Sequence, residues 1–153
     1  MKIETILQMG FTPIDEGGYC KRIYTSPLGK ERPITTAIEY ILPAGGTSTL
    51  HSLDADELWI HLGGGELELV RTCEQGEAVL HRLKPGEHFT FPAGCVFGAR
   101  EVSGEDVHVI CVVSPGYTDE GFRLVDAEEI RKDYPAGWEK LRCFLRPYVP
   151  REL

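Results

Sequence analysis

Two stretches of the sequence decide the fold: residues 46–64, GTSTLHSLDADELWIHLGG, and residues 86–97, GEHFTFPAGCVF. Each begins at a glycine and runs into residues that favour β-strands. Because successive side chains of a strand point to opposite faces, Glu57, Trp59 and His61 share one face, and the apolar residues between them share the other. The first stretch therefore predicts a strand that presents a carboxylate and an imidazole on one side.

The rest of the chain alternates between short β-rich runs and turns. The runs cover residues 35–42, 58–62, 66–71, 78–83, 88–91 and 107–113, and the turns between them are rich in Gly, Pro and Asp. Short strands at this spacing predict two antiparallel sheets that close a sandwich or barrel over about residues 19–113. Helical segments are predicted only at the two ends, over residues 2–9, 127–133 and 138–145, with Asp126 as the N-cap of the second and Pro135 ending it.

Length and composition set limits on the class of protein. The chain has 153 residues, of which 42% are hydrophobic, so we expect one domain over residues 1–153 with a substantial core. With 24 acidic and 16 basic residues the net charge is -8, and no Lys/Arg cluster could follow a phosphate backbone, so we expect no nucleic-acid partner. No run approaches the ~18 apolar residues of a membrane span, and the start lacks a signal-peptide pattern. We therefore expect a cytoplasmic protein without a membrane partner.

The five cysteines, Cys20, Cys73, Cys95, Cys111 and Cys143, are scattered and contain no C-x-x-C pair. This argues against both a disulfide framework and a thiolate zinc site, so buried, reduced thiols are expected.

The two opening stretches resemble the two motifs of the cupin superfamily. The first cupin motif runs from a glycine through His-x-His to a glutamate and a later glycine, and it matches Gly46, His51, Leu53, Glu57 and Gly64. The second runs from a glycine through Pro-x-Gly to a histidine, and it matches Gly86, Pro92, Gly94 and Phe97. The spacing agrees, but two of the four metal-binding positions of the superfamily hold the apolar Leu53 and Phe97.

A narrower resemblance covers nearly the whole chain. Glu16-Gly17-Gly18-Tyr19, His51 to Trp59 and Ser114-Pro115-Gly116-Tyr117 look like the fifth cupin family, small proteins grouped as a domain of unknown function. The resemblance implies an all-β, cupin-type double-stranded β-helix, or jelly-roll barrel, with short terminal helices. It also implies one small-molecule pocket near His51 and Glu57. The family usually has His directly after the Trp, whereas Ile60 follows Trp59 here and His61 comes next.

A metal site is one prediction for this pocket. If Glu57 faces the interior, His61 does too, and His51, Glu57 and His61 could converge on a divalent ion, at roughly 2.0–2.2 Å for zinc. Two His and one carboxylate would also suit non-haem iron. The alternative is that His51 is a hydrogen-bonded pocket histidine, His61 lies near a strand end, and Glu57 pairs with an Arg. Because Leu53 and Phe97 offer no lone pair, any metal is expected to be weakly bound.

Catalysis without a metal is the other prediction for the pocket. His51 would act as general base and a tyrosine, Tyr19 or Tyr40, as acid, which is worth roughly 10²–10⁴-fold in rate. Tyr19, Arg22 and Tyr24 are further candidates for the pocket mouth, because Gly17 and Gly18 permit close backbone approach.

Three functions remain open at this point. The first is an isomerase- or epimerase-like enzyme acting on a small polar metabolite, of the kind found among cupin sugar epimerases. The second is a metal-dependent enzyme that uses His51 and Glu57. The third is a non-catalytic ligand-binding module that keeps the barrel, which the apolar Leu53 and Phe97 favour. The resemblance does not choose among them, because one fold hosts many reactions.

Assembly is predicted from the apolar outer face of the central strand. Leu58, Ile60 and Leu62 lie on one face of that strand, and an uncovered apolar face favours contact with a second copy. We expect a homodimer with isologous contacts.

Overall fold

The computed structural model of this chain describes residues 1–145, which form two antiparallel sheets. The larger sheet has the strand order β1-β2-β3-β10-β5-β8, and the smaller has the order β11-β4-β9-β6-β7. The strands are β1 (Thr12–Pro13), β2 (Tyr19–Thr25), β3 (Thr36–Leu42), β4 (Thr47–Leu53), β5 (Asp56–Gly64), β6 (Leu67–Thr72), β7 (Ala78–Leu83), β8 (His88–Phe91), β9 (Val96–Glu101), β10 (Val107–Ser114) and β11 (Phe122–Leu124). The predicted all-β jelly roll of the cupin type is confirmed.

The α-helices lie at the ends, as predicted, whereas a 3₁₀ turn at Glu74–Gly76, between β6 and β7, was not predicted. They are α1 (Ile3–Gln8), α2 (Ala127–Asp133) and α3 (Trp138–Leu141), and a 3₁₀ turn at Arg142–Phe144 follows the last. The Asp126 carboxylate accepts a hydrogen bond from the Glu129 backbone N–H at 2.9 Å, so Asp126 is the N-cap that the sequence predicts. None of these helices has the length and apolarity needed to cross a bilayer.

The core has three parts, of which two lie on the two sides of the smaller sheet and the third is a small cluster of Ile6, Phe11 and Ile41. The first lies between the sheets and includes Tyr40, Trp59, Phe91 and Phe97. The second lies on the outer face of the smaller sheet, beneath the C-terminal helices, where Leu50 and Val96 meet residues such as Phe144. Burying each large apolar side chain contributes roughly 1.5–3 kcal/mol to the stability of the fold. The outward-facing apolar residues of the smaller sheet therefore hold the C-terminal helices against it.

Strand β4 carries a bulge that the sequence does not predict. Ser48 pairs with Ala99 and His51 pairs with Phe97, so two residues of β4 lie opposite the single residue Gly98. A bulge of this kind interrupts the alternation of side chains. Ser48 and His51, three positions apart, consequently both face the interior, whereas Leu50 between them packs outward beneath the helices.

The cysteines form no disulfide among residues 1–145. Cys111 is buried, as expected, and Cys20, Cys73 and Cys95 are half-buried. The expectation of buried thiols is wrong for Cys143, which is exposed on the turn that follows α3.

Candidate functional site

A cavity of about 600 Å³ opens between the two sheets. This volume is typical of sites for small molecules. Strands β1, β2, β3, β4, β5, β10 and β11 and the segments that follow β1 and β10 supply its walls, which include Pro13, Ile14, Asp15, Glu16, Cys20, Arg22, Thr36, Ile38, Tyr40, Ser48, His51, Leu53, Glu57, Trp59, Cys111, Val113, Tyr117, Asp119 and Phe122.

His51 is a buried histidine in the cavity wall, 4% exposed. Its Nδ1 lies 2.6 Å from the Thr49 carbonyl oxygen. Because a carbonyl can only accept, Nδ1 carries the proton of the neutral ring and Nε2 keeps a lone pair. The ring also lies against Phe97 and Phe122, with centroids 4.2 and 5.5 Å away. Burial lowers the pKa of His51 to about 4, against the effect of the Thr49 hydrogen bond.

Glu57 is a buried carboxyl in the same cavity, 8% exposed. The Trp59 indole Nε1–H donates to its Oε1 at 2.6 Å. Burial raises the pKa of Glu57 to about 7, and hydrogen bonds with Trp59 and Cys111 oppose this rise. The predicted common face of Glu57, Trp59 and His61 is confirmed, and it is the inward face, since all three are buried.

Tyr40 lines the cavity and is 2% exposed. Its hydroxyl donates to the Gly17 carbonyl oxygen at 2.5 Å. Gly18 lies against the ring, because a Cβ at this position would stand 2.4 Å from the Tyr40 oxygen, and its φ of +82° is also one that favours glycine. The predicted close backbone approach at the glycine pair is therefore present. Burial first, and then the charge of Glu16, raise the pKa of Tyr40 well above its usual value.

Other predicted site residues lie elsewhere in the fold. His61 is not among the residues that line the cavity, and its Nε2 lies 2.6 Å from the Gly65 carbonyl oxygen at the other end of β5. Tyr19 packs against a separate cluster of Ile6, Phe11 and Ile41. Of the candidates for the mouth, Arg22 lines the cavity, whereas Tyr24 is half exposed and outside it.

The donor set of the cavity does not fit a metal centre of the cupin kind. Within residues 1–145 no three His, Cys, Asp or Glu side chains are grouped so that they could hold an ion. Leu53 lines the cavity where the superfamily has a histidine, and Phe97 stacks on Phe91 at 4.1 Å where it has another. His51 and Glu57 remain as cavity donors from the predicted set of three. Two such ligands are fewer than the three protein ligands of ordinary catalytic zinc sites.

Several lining residues were missed in the sequence. Asp15, Glu16 and Asp119 are carboxylates of the cavity, and Tyr117 and Phe122 add aromatic wall. Glu16 and Tyr117 belong to stretches that carry the family resemblance, which was the signal available for them. Asp119 and Phe122 follow the last predicted strand in a segment without a recognisable pattern.

A family model described as cupin superfamily (DUF985) matches residues 3–125 of this chain. A crystal structure of a protein from Shewanella oneidensis shares 29% identity with a TM-score of 0.84, covering 94% of this chain and 96% of that one. A hypothetical protein from Leishmania major shares 22% identity with a TM-score of 0.78, covering 94% and 98%. A search of curated proteins found no match.

Oxalate decarboxylase from Bacillus subtilis has the same fold at lower similarity. It shares 15% identity with a TM-score of 0.63, and the match covers 92% of this chain and 40% of the decarboxylase. Mn(II) centres are described for that enzyme. At this identity the likeness shows the fold alone.

Proposed function

Because this chain belongs to the cupin superfamily, in the family grouped as DUF985, we propose that its cavity is the active site of an isomerase- or epimerase-like enzyme. The proposed substrate is a small polar metabolite with a carbonyl group. His51 is the general base and Glu57 is the general acid.

The opposite pKa shifts of two buried groups in one cavity carry this proposal. Burial lowers the pKa of His51 to about 4 and raises the pKa of Glu57 to about 7. Between these values His51 is a free base while Glu57 still holds its proton. Pairs of titratable groups whose pKa values are pushed apart in this way are typical of acid–base sites.

The chemistry needs one proton transfer at each group. The Nε2 lone pair of His51 removes a proton from the carbon next to the carbonyl, while the Glu57 carboxyl gives its proton to the carbonyl oxygen, which forms an enol. In a substrate with a hydroxyl on that carbon, the enol is an enediol. The imidazolium of His51 then gives its proton to the former carbonyl carbon, and the Glu57 carboxylate takes the proton of the hydroxyl on the neighbouring carbon, so that the carbonyl and the hydroxyl have exchanged places. The enzyme ends in its starting state, and each proton passes through one of two side chains that line the cavity.

Glu57 replaces the tyrosines as the proposed acid. The Tyr40 hydroxyl already donates a hydrogen bond to the Gly17 carbonyl oxygen. Its pKa is also raised well above 10.0, so the hydroxyl is poorly matched to proton transfer near neutral pH. Tyr19 lies in a cluster away from the cavity lining. Tyr40 instead supports the wall beside Trp59, with ring centroids 5.6 Å apart.

The experiment is proton exchange in D₂O. A panel of small hydroxy- and amino-carbonyl compounds is incubated with the protein, and loss of the signal of the proton next to the carbonyl is followed by NMR. We expect exchange with the wild type and with His88→Gln, a control in which an exposed histidine outside the cavity is replaced. His51→Gln and Glu57→Gln should each lower the rate by at least about 100-fold. Exchange that survives both substitutions would overturn the proposal.

A non-catalytic binding module is the second candidate. The apolar Leu53 and Phe97 favour it, because Leu53 gives the cavity an apolar wall suited to a ring or an alkyl group and Phe97 packs against the ring of His51. It predicts binding of a compound without exchange of its protons. The metal-dependent alternative predicts exchange that chelation abolishes, so the same assay, repeated with a chelator, separates the three functions.

A further inference from the structure

The distribution of charge and aromatic rings around the cavity points to a class of ligand. We propose that the cavity takes a small organic cation, such as a metabolite with an amine that is protonated at neutral pH. This rests on the proposed function in one respect, namely that the cavity is a site for a small molecule.

Acidic side chains line the cavity from its mouth to its buried end. Asp15 and Asp119 are exposed and Glu16 is half-buried, and these three carboxylates supply the negative charge of the cavity. Glu57 is buried, and because its pKa is about 7 it adds only part of a charge at neutral pH. The cationic side chain among the described lining residues is that of Arg22, which is exposed and donates from Nη1 to Thr25 Oγ1 at 3.1 Å on its own strand. A cleft lined by one sign of charge concentrates ligands of the opposite sign.

The pKa of one lining residue, Tyr117, reflects the negative charge of the cavity. The pKa of Tyr117 is raised first by burial and then by the charges of Asp119 and Glu16. His51 adds no positive charge at neutral pH, because its pKa is about 4. An anionic ligand would therefore meet several carboxylates and one exposed guanidinium, which is unfavourable.

Aromatic rings supply the second half of a cation site. Tyr40 and Trp59 form one pair with centroids 5.6 Å apart, and Tyr117 and Phe122 form another at 6.3 Å. All four line the cavity. A cation held against an aromatic face gains about 0.5 kcal/mol when exposed and about 2 kcal/mol when desolvated. A cavity of about 600 Å³ with these walls holds an alkylammonium head together with a short polar chain.

His51 adds a buried hydrogen-bond acceptor to the carboxylates of the cavity. It is 4% exposed and lines the cavity, and the tautomer set by Thr49 leaves the lone pair on Nε2. A lone pair in a buried wall can accept an N–H or O–H donor, which a protonated amine or a hydroxyl supplies and a carboxylate does not.

The test uses three probes of the same shape and different charge: choline, 3,3-dimethylbutan-1-ol and 3,3-dimethylbutanoate. Binding is measured by calorimetry and by the fluorescence of Trp59, which lines the cavity. The variant Trp59→Phe shows how much of the fluorescence change comes from Trp138, which packs against Arg131 outside the cavity. We expect choline to bind at least about tenfold more tightly than the alcohol, since about 1.4 kcal/mol of cation–π and charge attraction is a factor of ten. The carboxylate should bind more weakly than the alcohol.

Two variants test the origin of the preference. Asp119→Asn removes an exposed carboxylate of the mouth and should weaken choline binding about two- to fivefold, the range of an exposed charge pair. Glu120→Gln removes an equal charge one residue further along, outside the lining, and should leave choline binding unchanged. The alcohol should bind equally well to both variants.

Equal affinity for choline and the alcohol, tighter binding of the carboxylate, or no binding of any probe at millimolar concentration would each overturn the cation proposal. Binding is read without turnover, so the outcome is independent of whether proton exchange is observed. Exchange of an uncharged carbonyl compound without choline binding would leave the proposed function intact and reject the ligand class.

Discussion

Replacing Glu57 by Gln is the most informative perturbation of this protein. Glutamine has nearly the same shape, and its amide oxygen can still accept the hydrogen bond that Trp59 Nε1–H donates to Glu57 at 2.6 Å. The substitution thus removes the titration of a buried carboxyl and keeps its best contact. Its effect on stability should therefore depend on pH.

The size of the effect follows from the raised pKa of Glu57. The pKa rises from 4.5 to about 7 on folding, and one pKa unit corresponds to about 1.36 kcal/mol, so the ionised carboxyl costs the folded state about 3 kcal/mol. Between these pKa values the folded chain binds more protons than the unfolded chain. The free energy of unfolding therefore falls as pH rises through this window. Glu57→Gln should gain about 2–3 kcal/mol relative to the wild type between pH 5 and pH 8.

Urea unfolding of both proteins at pH 5, 6, 7 and 8 measures this difference. His51 titrates in the opposite sense, since its pKa is lowered to about 4, but it is present in both proteins and its contribution cancels. Glu120→Gln is the matched control, because its exposed carboxylate is hydrated before and after folding. A difference between Glu57→Gln and wild type that stays constant from pH 5 to pH 8 would refute the raised pKa and remove the main support for Glu57 as an acid.

Three further outcomes are expected. Gly98→Ala should lower the free energy of unfolding by about 1–3 kcal/mol, because the new Cβ would lie 2.9 Å from the Ser48 carbonyl oxygen. Gly63→Ala is the control and should cost less, because nothing lies within 4 Å of a Cβ at that position. Equal losses in the two variants would reject the packing argument. Tyr40→Phe should cost about 1–2 kcal/mol in the same assay yet keep proton exchange, and loss of exchange would restore the tyrosine as the acid. Sedimentation at micromolar concentration should give a particle of twice the 17.1 kDa chain mass. Leu62→Lys places a charge on the outer face of β5 and should shift the protein toward the monomer. A monomeric wild type would contradict the predicted homodimer.

Much of the fold was predictable because local patterns carry it. The run 78–83 and the run 88–91 became β7 and β8 without change, and Asp126 and Pro135 bound the helix predicted over residues 127–133. Strands β4 and β9 were not predicted as strands. β4 is rich in Ser and Thr around His51, and β9 contains Gly98, so neither shows the apolar alternation on which such predictions depend.

The candidate site was predictable only in part. His51 and Glu57 belong to a recognisable spacing, and both line the cavity. The two-residue period of a strand correctly placed Glu57, Trp59 and His61 on one face, and the packed structure shows that this face points inward. That period says nothing about depth along the strand, which is why His61 shares the face of Glu57 and yet lies at the Gly65 end, outside the cavity lining.

By itself the sequence determined the class of fold, the position of the two motifs and the residues that cannot bind a metal, because these depend on residue type and spacing along the chain. The tertiary structure alone decided which side chains meet. The bulge opposite Gly98 brings Ser48 and His51 to the same interior face, and the fold brings Glu16 and Asp119 to one cavity although they are far apart in the sequence. Burial then sets the pKa values of His51 and Glu57, and burial is a property of the packed fold that no local stretch of residues contains.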